Sequence, residues 1–333
     1  PVEINSFTRP NWHDYVGTEH TACRTTAALF DQSSFAKFTL VGRDAEAVLS
    51  NICAGDVATP PGRITYTAML NRHGGIECDL TVTRIAEDQY YIVTGTGFAT
   101  HDFDHISRLI PEDAHASLVD ITSAFGVLSL MGPNARKILE AAAEGDVSAK
   151  AFPFMAAQEI QIGGAPVRAL RLTYVGELGW ELHIPSEYML TVYEALASAG
   201  TAFGLVDAGY RAIDSLRLEK GYRAWAADIG PDHTPLEAGI DFAVAFDKKS
   251  NFIGRDTLLR QREAPLTKRL VTLTSEDDPE LLLTGRETII RDGERVGWLS
   301  SGGYGHTVGK SLAMALVEPD FAEPGTELTT HVI

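Results

Sequence analysis

The apolar pattern predicts an α+β body followed by a smaller β domain, and two observations carry that reading. Up to about residue 255, stretches of period-2 alternation interleave with stretches of helical spacing. From about residue 265, short strands such as "KRLVTLTS", "ETIIRDGERVGWLSSGG" and "KSLAMALV" follow one another with almost no helical signal. A chain of 333 residues, 44% hydrophobic and 22% charged, can bury a sizeable core but is long for a single one. The change of pattern therefore places a domain boundary at 256–265.

The elements follow in order. "GTEHTACRTTAALF" has helical character, "FAKFTLVG" alternates as a strand, and "RDAEAVLSNIC" has helical spacing with an acidic first turn. "RITYTAMLNRHGGIECDLTVTRI" reads as a hairpin in which Gly74 and Gly75 supply the tight turn. "QYYIVTGT" is a strand, "FATHDFDHISRLI" a helix and "FGVLSLMG" a strand. A further helix opens at "PNARKILEAA", with Pro133 in its first turn. "IQIGGAPVRALRLTYVGELGWELHIP" reads strand, turn, strand, turn, strand. "SEYMLTVYEALASAG" is a helix capped by Ser186 and ended by Gly200. "GLVDAGYRAIDSLRLEKG" is a second amphipathic helix that stops at Gly221.

A formal charge of −17, from 28 basic and 45 acidic residues, repels nucleic-acid phosphate and anionic lipid, so neither is an expected partner. Three cysteines without C-x-x-C spacing suggest neither a disulfide framework nor a metal site. With no apolar run long enough for a membrane span and no secretory leader pattern, the expectation is a soluble, cytoplasmic protein. "SSGGYGHTVGK" and "MGPNARK" fail the phosphate-loop and dinucleotide templates. No H-E-x-x-H or G-x-S-x-G motif occurs.

Two carboxylates stand out. In "GWELHIP" period 2 puts Trp180, Leu182 and Ile184 on one face and Glu181 and His183 on the other. That second face is either solvated or the wall of a site where Glu181 accepts two parallel N–H bonds from an amidine-like edge. Tyr174 offers such a ligand its hydroxyl or its ring, or is a sheet-edge aromatic. In "GGIECDLTV" Asp79 shares the polar face with Glu77 and Thr81. It is either an ordinary polar-face residue or an acid–base group for a reacting nitrogen. Arg217 and Arg223, in "DSLRLEKGYRAW", are candidate cations for an anionic ligand. Asp214 and Arg217 also have the spacing of a helix ion pair.

The order and spacing of "RPNWHDYVGTEH", "FDQSSFAKFTLVGRDA", "GGIECDLTV", "LTYVGELGWEL", "DSLRLEKGYRAW", "TPLEAGIDFAVAFDKKSNFIGRDTL" and "SSGGYGHTVGKSLAMALV" resemble the tetrahydrofolate-dependent aminomethyltransferase family. That family comprises the glycine cleavage T-protein and the C-terminal halves of dimethylglycine and sarcosine dehydrogenases and oxidases, and "RPNW" and "GYRAW" look most like the latter branch. The resemblance implies a three-subdomain cloverleaf around a central folate channel. Residues 1–255 would form two intertwined α/β subdomains and 256–333 a β-barrel-like subdomain. It also implies Asp79 as the catalytic aspartate and Tyr174 and Glu181 at the pterin; because the glutamate tail of folate is anionic, an arginine-lined entrance is expected, with Arg217 and Arg223 as its candidates.

The activity implied is transfer of a one-carbon unit from a methylated amine, such as dimethylglycine or sarcosine, or from its iminium or formaldehyde product, to tetrahydrofolate. The alternatives are an O- or S-demethylase and a non-catalytic folate-binding module. No flavin site is expected in this chain, which makes a separate flavin-containing dehydrogenase domain or subunit an expected partner. Lys220-Gly221-Tyr222-Arg223 stands where the iron–sulfur-maintenance branch reads Lys-Gly-Cys-Tyr, which points away from that branch.

Overall fold

In the computed structural model, which describes residues 9–276 and 281–332, the chain begins with α1 (His13–Thr25), β1 (Ala27–Asp31), β2 (Ala36–Val41) and α2 (Ala45–Ile52). The hairpin β3 (Ile64–Leu70) and β4 (Ile76–Ala86) leads to β5 (Gln89–Thr94), α3 (Ala99–Leu109), β6 (Ser117–Asp120) and β7 (Phe125–Met131). α4 (Ala135–Ala142), β8 (Ala143–Glu144), β9 (Ala157–Ile162), β10 (Ala165–Leu170) and β11 (Gly179–Pro185) follow. Then come α5 (Met189–Gly200), β12 (Leu205–Ala208), α6 (Tyr210–Glu219) and α7 (Arg255–Arg262). The last elements are β13 (Arg269–Thr274), β14 (Thr288–Arg291), β15 (Glu294–Gly305), β16 (Lys310–Val317) and β17 (Thr329–Thr330).

The described strands form three sheets. The first has seven strands in the order β12-β1-β7-β11-β10-β9-β8, the second five in the order β3-β4-β5-β2-β6, and the third five in the order β13-β16-β15-β14-β17. Every pairing in the third sheet is antiparallel. β12 lies parallel to β1 at the edge of the first. No helix among the described residues is long and apolar enough to cross a membrane.

Each sheet buries an apolar face of its own. Trp180, Leu182 and Ile184 of β11 pack with α4 and α5 on the first sheet, and Cys78, Leu80 and Val82 of β4 pack with α2 and α3 on the second. β15 and β16 close a third core with Leu283 and Ile289. A further cluster, including Leu70, Ile76, Leu258 and Met314, joins the second sheet to the third.

The first two sheets also meet along a polar seam. Lys37 Nζ donates to the carbonyls of Ser33 and Phe125, and Val127 N–H donates to Ser33 Oγ. Lys37 is fully buried there, and burial brings its amine down to about 8.

Local readings needed correction in four places. The helix expected through "TTAALF" ends at Thr25, because Ala27–Asp31 is a central strand flanked by β12 and β7. A strand buried on both faces reads as a continuous apolar run. "GLVDA" is likewise a strand, and the helix starts only at Tyr210. α5 begins at Met189, since Ser186 Oγ donates to the Ser123 carbonyl instead of capping, and the left-handed turn falls at Gly204, φ 70°, four residues beyond Gly200. Pro133 precedes the N-cap residue Asn134.

At the β3–β4 turn the two glycines do different things. Gly74 has φ 83°, whereas a Cβ on Gly75 would lie 1.7 Å from the Pro231 carbonyl oxygen, so Gly75 is needed for close approach of a second loop.

Candidate functional site

β4 turns Asp79 away from the core toward Tyr66. The register pairs Asp79 with Ala68, so Tyr66, two residues earlier on the same strand, stands diagonally beside it. Burial pushes the Asp79 carboxyl up to about 7; a hydrogen bond from Tyr66 opposes this and the charge of Asp102 adds to it. Phe242, exposed on the surface, stacks on Tyr66 with ring centroids 5.9 Å apart. Tyr66 was not among the residues read from the sequence. Counting back along a hairpin register would have found it but for the bulge between Met69 and Leu70.

Tyr174 and Arg223 belong to the same neighbourhood. The Tyr66 hydroxyl interacts with Asp79, Tyr174 and Arg223, and that of Tyr174 with Arg217 and Asp79. Tyr174 donates its hydroxyl to the Arg223 carbonyl at 2.8 Å and stacks on Tyr222 at 6.1 Å. Its phenol is therefore committed to the protein. Arg223 directs Nε to the Ala238 carbonyl at 2.8 Å and Nη1 to that of Gly221 at 2.6 Å. Its guanidinium braces the 221–239 loop.

Arg217 sits deeper, 3% exposed. Nε meets Asp214 and Nη1 meets Asp228, each at 2.7 Å, with the Tyr222 carbonyl and Ser301 Oγ completing the set. Asp228 is also the acceptor for Ala224 N–H, Ser300 Oγ and Ser301 Oγ. The i, i+3 pair expected from the sequence is present as one arm of this buried network. Arg217 is thereby an anchor between α6, the 222–228 loop and β15.

Glu181 faces the seam between the first two sheets and is only 5% exposed, so its side of β11 is not solvated. Ser129, opposite it on β7, donates to Gln32 Oε1, and His183 Nε2 lies 3.6 Å from Glu181 Oε2. From the second sheet Tyr91 crosses the seam to His183. Tyr91 pairs with Thr83, and Thr83, Thr81 and Asp79 share one face of β4, so both carboxylates look onto the same inter-sheet seam. They are not adjacent: the four residues from Asp79 to Thr83 span about 13 Å of strand.

A cavity of about 960 Å³ opens between α6, the 224–227 loop and β15. Tyr174, Arg211, Arg217, Trp225, Arg286 and Trp298 are among its walls, and neither Asp79 nor Glu181 is. Tyr174 therefore connects this cavity to the Asp79 cluster. Among the described residues one group has metal-ligand chemistry, Cys78, His101 and Asp102, whose ligand atoms lie within 4.8 Å of one another. Asp102 already accepts from Thr94 at 2.5 Å and pairs with His101 at 2.8 Å.

Comparison with known proteins agrees with this architecture. Residues 2–248 match the GCVT N-terminal domain and residues 268–332 the glycine cleavage T-protein C-terminal barrel domain. Sarcosine dehydrogenase of human mitochondria is 41% identical over 96% of this chain, which spans only 36% of that protein. The aminomethyltransferase of Caldanaerobacter subterraneus subsp. tengcongensis is 30% identical, with 98% of this chain and 86% of that protein aligned. The crystal structure of glycine cleavage system aminomethyltransferase T from Bartonella henselae superposes with a TM-score of 0.85 at 28% identity, covering 95% of this chain and 85% of that one. With both of its parts matched in order, the chain belongs to the glycine cleavage T-protein family.

Proposed function

We propose that this chain moves a one-carbon unit from a methylated amine, such as sarcosine or dimethylglycine, or from its oxidised product, onto tetrahydrofolate. The observation that carries the reading is Asp79, a carboxylate raised to about 7 beside a tyrosine hydroxyl. An acid–base group is most effective when its pKa lies near the working pH, and few surface carboxylates come near that.

The residues present suit a reduced pterin. Glu181 is a buried acceptor on the seam, with His183 as its near neighbour, and Tyr174 offers a ring edge where the seam cluster meets the large cavity. When bound, tetrahydrofolate supplies the nucleophilic nitrogen that takes up the one-carbon unit. Asp79 Oδ accepts the proton that this nitrogen sheds, Glu181 holds the amidine edge of the ring, and Tyr66 keeps Asp79 oriented. The donors of Arg217 and Arg223 are committed, which leaves the anionic tail to the exposed Arg286 in the wall of the same cavity. Oxidation of the amine is assigned to a separate flavin-containing dehydrogenase domain or subunit. Similarity to sarcosine dehydrogenase supports this, since the chain covers about a third of that protein.

The test is to incubate the chain with tetrahydrofolate and a panel of N-, O- and S-methyl compounds, with and without formaldehyde, and to identify the folate product by mass. Methylene-tetrahydrofolate is expected from formaldehyde, formed faster than without the chain; an N-methyl compound should give none until a flavin-containing dehydrogenase removes two electrons from its methyl group. Methyl-tetrahydrofolate from an O- or S-methyl donor would replace this reading with direct demethylation, and binding without any product would reduce the chain to a folate-binding module. Asp79→Ala should lower turnover by about 10²–10⁴ while sparing most folate affinity.

A further inference from the structure

His183 is fully buried, yet its two ring nitrogens are treated differently. Nδ1 lies 2.8 Å from the Tyr91 hydroxyl, with the rings edge-to-face at 5.3 Å and 86°. Nε2 has no hydrogen-bond partner and points toward Glu181 Oε2 at 3.6 Å, just beyond bonding distance. The charged groups that act on the ring are Glu181, Lys37 and Arg168, and the last also stacks over Tyr91 at 4.8 Å. Burial lowers the imidazole pKa, so the ring is neutral near pH 7 and carries a single N–H.

Where that proton sits follows from the neighbours. If Tyr91 donates to Nδ1, the proton is on Nε2 and faces the carboxylate. In the other tautomer an Nε2 lone pair would confront the Glu181 anion across a dry seam, which is repulsive.

We propose that His183 is the positioning residue for Glu181: Tyr91 fixes the Nε2–H tautomer, and that N–H fixes one carboxylate oxygen so that the pair of oxygens presents to the adjacent N–H groups of a pterin edge. This rests on the reading of Glu181 as the pterin acceptor. Drawing the carboxylate into a two-pronged bond should shorten the 3.6 Å contact. The arrangement parallels the outer hydrogen bonds that set the tautomer and aim of metal-binding groups in other proteins.

The experiment uses the whole chain. ¹⁵N-labelled protein is examined by long-range ¹H–¹⁵N correlation, and binding of tetrahydrofolate and of its 2-desamino analogue is measured by calorimetry. The His183 ring should show the Nε2–H pattern, and an Nδ1–H pattern overturns the proposal. His183→Ala should weaken tetrahydrofolate about tenfold and leave the analogue nearly unchanged, because only the former makes both N–H bonds to the acid. His183→Gln, which restores an N–H, should recover most of that loss. Equal weakening of both ligands, or of neither, means that His183 only fills space. Should His183→Ala fail to fold, Tyr91→Phe keeps the ring packing and decides the matter: mixed tautomers with reduced discrimination support the proposal, and unchanged discrimination sinks it. Glu181→Gln separates the two levels. If it leaves tetrahydrofolate affinity intact, the reading of Glu181 fails and takes this one with it. If it abolishes discrimination while His183→Ala does not, only the role of His183 is lost.

Discussion

Asp79→Asn should make the protein more stable at alkaline pH and leave it unchanged in acid. Asp79 titrates near 7 in the folded chain against an ordinary value of 3.8. Between about pH 4 and pH 7 the folded state therefore keeps a proton that the unfolded state has lost. The carboxyl accordingly lowers stability progressively as pH rises through that window, and its full effect is present above pH 7. A difference of about three pH units corresponds to about 4 kcal/mol, of which an asparagine, itself polar and still within reach of Tyr66, should recover about half.

Urea unfolding followed by tryptophan fluorescence at pH 4, 6 and 8 reads the effect directly. The expected gain is near zero at pH 4, intermediate at pH 6 and about 2 kcal/mol at pH 8. Tyr66→Phe removes the bond that favours the ionised form and should move the upper bend of the curve to higher pH, while Asp102→Asn should move it lower. A gain that is the same at all three pH values, or a loss at pH 8, would show that Asp79 is not held in a raised state by its surroundings.

Three further expectations concern the frame around the site. Asp228→Ala strips an acceptor from Arg217, Ser300, Ser301 and the Ala224 N–H; with Asp214 still on Nε, the loss of these buried bonds should lower stability by about 2–3 kcal/mol in chemical unfolding. Gly75→Ala drives a methyl into the Pro231 carbonyl and should cost about 1–3 kcal/mol, whereas Gly97→Ala, with nothing within 4 Å, should be nearly neutral in the same melt. Burial works against ionisation of Glu219, yet His20 and the Thr307 N–H more than offset it and hold the carboxyl at about 2. The stability it contributes is complete above about pH 4.5 and is lost as pH falls toward 2, so the deficit of Glu219→Gln should be about 3 kcal/mol at pH 7 and should shrink markedly by pH 2.5.

The hairpins and most helices were legible because their periods are local. Asp79, Thr81 and Glu77 fell on the face opposite Cys78 and Leu80 as alternation requires. What alternation could not supply was the environment of the second face. For Glu181 alternation alone favoured solvent over a site, and only the packing of one sheet against another buries that side of β11. The roles of Arg217 and Arg223 were obscured for a similar reason. Helix spacing shows Asp214 beside Arg217, but Asp228 reaches it from a loop and Ser301 from another sheet. Tyr66 and His183 were missed as participants because each acts through a partner set by register or by sheet packing.

The grip of Ser300 and Ser301 on Asp228 gives the C-terminal sheet an influence out of proportion to its chemistry. It donates neither acid, yet it steadies the segment that carries Trp225, whose indole N–H is tied to the Ile76 carbonyl at the root of β4. If the two matched regions were produced as separate polypeptides, the larger would keep both carboxylates but lose the keystone beneath them. Affinity for a small ring should then recover only when the smaller piece is added back, a complementation that depends on two serines on one strand.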